Sequence, residues 1–243
     1  MARPAVQLYT LRAVETPLPD LLARIDDAGF EGVEYANRIT EADIDSVVSA
    51  LDETGLESAA AHVGINRLED DIEEVIGFYR SLGCEHLVVP WLDPKAFATA
   101  EAVETTANRL QSVAEAVDDC GVDFSYHNHD HEFVTVDGET AFDRLADLTT
   151  RPLGFEIDCG WAAAAGVDPV SVLDRLGDRV SLVHVSDADK DRSPAEVGEG
   201  VLDVPACADA VREHAIEWAV YEHDEPANAM ESVAHGADVL GGF

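Results

Sequence analysis

The chain has 243 residues, 47% of them apolar, enough for one substantial core and unlike the composition of a disordered polymer. Fifty acidic residues stand against 15 basic ones, a formal net charge of −35 that repels a phosphate backbone and excludes a non-specific nucleic-acid binder. The acids lie along every segment, so they coat the surface, and concentrated salt would screen their repulsion, the Debye length falling to about 3 Å at 1 M.

That charge pattern is the expectation for a halophile's cytoplasmic protein. The start, MARPAVQLYTLR, holds no apolar run long enough for a signal peptide, and no stretch reaches the roughly 18 apolar residues of a membrane span. Among the cysteines, Cys84, Cys120, Cys159 and Cys207, no CxxC pair occurs, so a zinc finger is excluded. Three read as free thiols of a reducing compartment, and Cys159, after Asp158, reads as a packing residue.

Short β-rich runs alternate with amphipathic stretches along the chain. Val6–Tyr9 reads as the first strand, with a helix over Leu18–Ala28. Gly32–Tyr35 is the second strand, followed by a helix over Ile39–Thr54 that stops at Gly55. Ser58–Val63 is the third, with a helix over Leu68–Leu82 closed by Gly83. His86–Pro90 is the fourth, and Pro94–Cys120 reads as one long helix stopped by Gly121. Val122–His127 is the fifth, before a helix over Glu139–Leu148. Leu153–Asp158 is the sixth, with a helix over Pro169–Leu176. Arg179–Val185 is the seventh, with a helix over Pro205–His214, and Glu217–Glu222 is the eighth, with Ala227–Leu240 last.

Eight repeats of βα size, with no linker between them, predict a single-domain α/β protein, a (β/α)8 TIM barrel over residues 1–243. An open doubly wound sheet would show a glycine-rich phosphate turn after its first strand, and Tyr9-Thr10-Leu11-Arg12 stands there instead.

In a barrel, chemistry sits where strands end. The strand ends carry Gln7 and Tyr9; Glu34 and Asn37; His62; Pro90 and Trp91; His127, Asn128 and His129; Glu156, Asp158 and Trp161; His184 and Asp187; Glu222 and His223. Five of the nine histidines fall there, which uniform scatter rarely produces. Alternation puts Glu156 and Asp158 on one face of the sixth strand, and His127 and His129 on one face of the fifth.

Asp158, His184 and Glu222 come from three adjacent strands and can converge. Carboxylates with imidazole suit Mn2+, Mg2+, Co2+ or Zn2+, with Mn2+ favoured in the absence of thiolate. For Glu34 the plainer expectation is a rim pair with Arg12 or Arg38, and for Glu156 a buried charge bonded inside the barrel.

These motifs resemble the xylose isomerase-like TIM barrel superfamily, in its sugar phosphate isomerase/epimerase branch, akin to inosose dehydratase and tagatose 3-epimerase. The resemblance runs through VQLYTLR (6–12), FEGVEYA (30–36), AHVG (61–64), YHNHDHEF (126–133), FEIDCGWAAAAGVDP (155–169), VHVSDAD (183–189), VGEG (197–200) and YEHD (221–224).

The resemblance implies a metal held by an acid on strand five, an aspartate on six, a histidine on seven and a glutamate on eight. Asp158, His184 and Glu222 match the last three. On strand five the chain offers His127, the favoured ligand, and His129 in place of the acid, with Glu132 just beyond. Ser186 stands where many relatives carry a lysine.

The implied activity is a metal-dependent isomerase or epimerase of a sugar, keto-sugar or sugar phosphate, by proton abstraction beside a chelated carbonyl. Glu222, His127, His129 and Glu34 are the candidate catalytic groups. His62, Trp91, Asn128, Trp161, Asp187 and Glu199 are the candidate substrate contacts. The alternative is a dehydratase of a keto-inositol or keto-sugar on the same site, and a non-catalytic sugar-binding barrel is the third reading. A DNA-repair endonuclease would need a basic face that 15 Lys and Arg do not supply. The expected partner is a small carbohydrate, with no nucleic acid and no membrane, and a homo-oligomer is compatible with the sequence.

Overall fold

The computed structural model describes residues 1–243. Eight parallel strands close into a barrel: β1 (Arg3–Gln7), β2 (Gly32–Tyr35), β3 (Glu57–His62), β4 (His86–Val89), β5 (Asp123–His127), β8 (Leu153–Asp158), β9 (Val180–Val185) and β12 (Trp218–Tyr221). Two antiparallel ribbons decorate the loops after the fifth and seventh barrel strands. They are β6 (Thr135–Val136) with β7 (Glu139–Thr140), and β10 (Asp187–Ala188) with β11 (Pro194–Ala195).

The helices are α1 (Leu18–Ala28), α2 (Ile44–Thr54), α3 (Ile65–Asp70), α4 (Ile72–Arg80), α5 (Ala100–Asp118), α6 (Ala141–Leu148), α7 (Cys159–Ala164), α8 (Pro169–Leu176), α9 (Val204–Glu213) and α10 (Ala229–Leu240). None is long and apolar enough to cross a membrane.

The predicted (β/α)8 barrel is therefore the fold, with its elements trimmed by local chemistry. Tyr9 leaves the first strand because residues 8–11 turn into a 3-10 segment, held where the Tyr9 N–H donates to the Gln7 side chain at 3.2 Å. The long helix expected from Pro94 splits at Thr99. Its hydroxyl accepts from the Ala102 N–H at 3.2 Å and starts α5 afresh, leaving Pro94–Phe97 as 3-10. Asp71 breaks the third helical stretch in two and caps α4 through the Glu74 N–H at 3.1 Å. Helix α7 was not foreseen: Asp158 ends β8 and at once caps α7, its Oδ1 accepting from the Trp161 N–H at 2.7 Å.

The main apolar core lies between the barrel and its helices. A second cluster, Ala5, Ala59, Ala60, Val88, Leu182, Trp218 and Val220, plugs the barrel itself. Beneath the plug the Arg3 guanidinium lies 4.1 Å from the Trp218 ring centre and is tied to Glu31 (3.0 Å) and Glu57 (2.8 Å). Above it the inward positions turn polar.

Register sets the heights of those positions: Gln7 pairs with Glu34, His127 with Glu156, and Asp158 with His184. The last pairing depends on a bulge beside Phe155 and Glu156, which slides β9 by one residue and brings His184 level with Asp158.

Candidate metal centre

Inward residues above the plug form two tiers. The lower tier holds Gln7, Glu34 and Glu156, all fully buried. Glu156 Oε2 lies 2.9 Å from His62 Nε2, 2.9 Å from His127 Nδ1 and 3.3 Å from His184 Nε2. Glu34 Oε2 lies 2.6 Å from His184 Nε2 and 3.2 Å from His62 Nε2, and accepts from the Gln7 amide at 2.5 Å. The expected rim pair of Glu34 with Arg12 or Arg38 does not form. Arg12 stacks on Tyr9, and Arg38 donates to the carbonyls of Leu11 and Thr16.

The upper tier holds Asp158, Glu222 and the outward nitrogens of His127 and His184, while both ring nitrogens of His62 face the lower tier. His184 Nδ1 is 2.9 Å from Glu222 Oε2, and His127 Nε2 is 4.0 Å from Asp158 Oδ2. His127 and His184 each turn one ring nitrogen down to a carboxylate and one up to the mouth. That carboxylate–imidazole pairing is how metal-ligating histidines are usually oriented. Asp158 is steadied through its other oxygen by the Ser186 hydroxyl at 2.7 Å. A Cβ at Gly160 would lie 2.3 Å from Ser186 Oγ, so only glycine lets α7 approach strand end β9 this closely.

The electrostatics are those of a site with surplus negative charge. Burial raises Glu34 to about 7, helped by the charge of Glu156, and burial raises Asp158 to about 7. Burial opposes ionisation of Glu156, but His184, His127 and His62 outweigh it and hold its pKa well below the usual range. Glu222 is likewise held at about 2, its burial outweighed by the hydrogen bond to His184. Burial works against His184⁺, yet Glu156 and Glu34 keep its pKa well above the ordinary value. His127 is pushed down to about 4 by burial and then by His184.

Donor atoms of His127, Asp158, His184 and Glu222 all lie within 4.8 Å of one another. Bonds of about 2.1 Å to a shared ion span close to that distance. Asp158 Oδ2 is buried with no hydrogen-bond partner, as are Glu34 Oε1 and Glu156 Oε1. Orphaned carboxylate oxygens at this density are costly without a cation, so the residues fit a divalent ion. A deeper grouping, His62, His127, Glu156 and His184, also falls within 4.8 Å. Its internal separations, Glu156 Oε2 to His62 and His127 at 2.9 Å and to His184 at 3.3 Å, are those of shared protons.

A cavity of about 410 Å³ opens over the upper tier, lined by Tyr9, Ala36, Asn37, His62, Gly64, Pro90, Trp91, His127, His129, Glu222 and Asp224. The structure thus brings His62, Trp91, His127, His129 and Glu222 to the cavity. His129 Nδ1 is buried and unpartnered, and burial, then His127, lowers its pKa well below the ordinary value. Trp161 stands behind His129, ring centres 6.2 Å apart.

Five expected catalytic or substrate-contact residues lie off the cavity wall, Trp161 behind His129 among them. Glu34 is beneath it. The Asn128 amide bridges to β8, donating to the Asp158 carbonyl at 3.2 Å and accepting from its N–H at 3.1 Å. Asp187 spends its carboxylate on the backbone of its own loop. Glu199 is exposed on that loop. Glu132, beyond the fifth strand, is turned aside to the Tyr126 hydroxyl (2.6 Å) and the His129 N–H (2.9 Å), which leaves His127 as the strand-five donor. His223 also faces away, its Nδ1 accepting from the Glu225 N–H at 3.1 Å.

Sequence reasoning missed Gln7, Asp224 and the central place of Glu156. Gln7 and Glu156 were visible at strand ends but lie one tier down. Asp224 follows the eighth strand, and burial, then Glu222, raises it to about 7.

The family model described as a xylose isomerase-like TIM barrel matches residues 22–240. The rhizopine catabolism protein MocC of Rhizobium meliloti is 26% identical over 220 residues, covering 79% of this chain and 67% of that protein. Inosose dehydratase of Geobacillus kaustophilus (strain HTA426) is 26% identical over 195 residues, 70% of this chain and 62% of that enzyme. The chain thus spans about two thirds of the first relative and less than that of the second.

Among solved structures, a sugar phosphate isomerase/epimerase from Parabacteroides distasonis ATCC 8503 superposes with TM-score 0.82 at 18% identity, over 99% of this chain and 94% of that one. The IOLI protein "with a binding zinc atom" superposes with TM-score 0.78 at 13% identity, over 98% and 96%. At such identities the two structures bear on the fold alone.

Proposed function

Since the chain belongs to the xylose isomerase-like TIM barrel family, we propose that it is a divalent-metal-dependent enzyme that isomerises or epimerises a sugar or keto-sugar by moving a proton beside a carbonyl. The observation that carries this reading is the upper tier. Four donors from four strands, His127, Asp158, His184 and Glu222, share one point at the base of an open cavity. Mn2+ is the favoured ion, and the imidazole and carboxylate donors also suit Zn2+.

When bound, the ion polarises the substrate's carbonyl and adjacent hydroxyl oxygens and acidifies the C–H between them. His184 and His127 hold their mouth-facing nitrogens in place through Glu34 and Glu156 below. Two cavity groups outside the ligand set carry the proton: the Asp224 carboxyl, raised to about 7, and the unpartnered His129 Nδ1. In the ion-free protein, burial and then Glu222 raise Asp224 into the range where a carboxyl both takes and gives a proton. Trp91, half exposed at the rim, offers an apolar face to the sugar's C–H side.

A second reading, a dehydratase of a keto-inositol or keto-sugar, is favoured by the inosose dehydratases among the relatives. It needs the same proton abstraction followed by loss of a β-hydroxyl. Incubation in D2O with metal-loaded protein separates the two. The first reading expects an isomeric product of unchanged formula, while a product lighter by one water assigns the site to the second. Protein that turns over fully after exhaustive chelation refutes both.

A further inference from the structure

We infer that the mouth takes an uncharged keto-polyol and has no subsite for a phosphoryl group, an inference that rests on the carbohydrate reading above and narrows it. Three observations converge. None of the eleven residues lining the cavity is lysine or arginine, while Glu222 and Asp224 present carboxylates to it. With Glu222 offset by the bound ion, a phosphate dianion would find no side-chain cation on this wall to pair with.

The arginines flanking the mouth are already engaged. Arg12 lies 3.9 Å from the Tyr9 ring centre and donates to the backbone carbonyls of Tyr9, at 2.9 Å, and Asp224. Arg38 donates to the Leu11 and Thr16 carbonyls, and Arg192 pairs with Asp130 at 2.6 Å.

The third observation concerns the place where TIM barrels most often hold phosphate, the backbone N–H groups of the loops after strands seven and eight. The loop after β9 has such donors, and they converge on the chain's own Asp187. Its Oδ1 accepts from Ala188 (2.9 Å), Val201 (2.9 Å) and Leu202 (3.0 Å), and its Oδ2 from Gly198 (2.9 Å) and Gly200 (3.0 Å). Five N–H groups around one carboxylate make an anion nest that is filled from within. A Cβ on Gly200 would collide with Asp187 Oδ1, so only glycine lets the loop close this tightly on the carboxylate. Beside it, Ser186 gives its hydroxyl to Asp158 and brings no positive charge to the mouth. What the wall does offer, the Asp224 carboxylate, the Asn37 amide and the Trp91 face, suits hydroxyls and a C–H face.

The test is calorimetric titration of metal-loaded protein with D-fructose, D-fructose 6-phosphate and 2-keto-myo-inositol, in 0.2 M and in 2 M KCl. The expected result is that a neutral ketone binds, and that the phosphate ester binds at least tenfold more weakly than its parent or than the keto-inositol at both salt concentrations. The lack of a cationic partner on the wall persists at high salt, which removes only the field of the outer surface. An ester that binds as tightly as the neutral ketones overturns the inference and leaves the metal-dependent carbohydrate reading standing. A preference present in 0.2 M KCl and absent in 2 M KCl overturns it as well, since the discrimination then belongs to the surface charge. Binding by none of the three, with one metal ion retained per chain, overturns the carbohydrate reading itself.

Discussion

At the scale of single residues, the upper tier was legible because strand-end aspartate, histidine and glutamate stand out against apolar strands. Asp158 is the most exacting of them. Its Oδ1 is spent on Trp161 and Ser186, and its Oδ2 is left for an ion. Asp158→Asn keeps the first role and removes the second. Elemental analysis should find metal falling from one ion per chain to near none, with the far-ultraviolet spectrum unchanged.

The same side chain sets a pH dependence. In the ion-free protein Asp158 is raised to about 7, so below that pH an incoming cation must displace its proton. Metal affinity should therefore climb as pH rises from 6 to 8, with proton release in calorimetry that is larger at pH 6; affinity flat across this range would remove the assignment.

Glu156 acts one tier lower. Glu156→Gln takes the charge from behind His127 and His62 without emptying the space. It should weaken metal binding about 10- to 100-fold, the usual effect of losing an outer carboxylate, with the ligand atoms all still present. The tier below the ligands escaped the sequence because alternation tells which face a residue takes and not how deep in the barrel it sits.

At the scale of elements, the eight strands and most helices followed from period, proline and glycine. The misses are caps: Thr99, Asp71 and Asp158 each begin a helix inside what looked like a helix, or just past a strand. A hydroxyl or carboxylate three residues ahead of an N–H is a weak signal until the backbone shows which competing turn it closes.

The loop after β9 is the other case. The sequence points to Asp187 and Glu199 as substrate contacts, whereas the structure makes Asp187 the post around which the loop is wound. Asp187→Asn replaces an acceptor carboxylate by an amide that faces five N–H groups with a donor of its own. The loss should be about 2 kcal/mol or more, a fall in Tm on the order of 5 °C, with protease cleavage concentrated between residues 189 and 200. Unchanged melting and proteolysis would show that the nest is not what holds the loop.

At the scale of the whole molecule, the composition already bounded the answer: a −35 chain of this length is one acidic barrel whose surface repels itself. Cations should compress that repulsion, so thermal melts are expected to shift upward from 0.1 M to 2 M KCl, with most of the gain complete once the Debye length is well below the spacing of surface charges. A melting temperature that is flat or falls with salt would remove the halophilic reading and leave the site untouched.

The plug of alanines, Val88, Leu182 and Val220, closed underneath by Trp218 and Arg3, has its own outcome for reactivity. It makes the vestibule blind-ended: solvent, hydrogen ions and reactant share a single doorway. With that doorway filled, a deuteron lifted from carbon has nowhere to wash out, and isotope placed on the substrate should return to the product rather than appear in the medium.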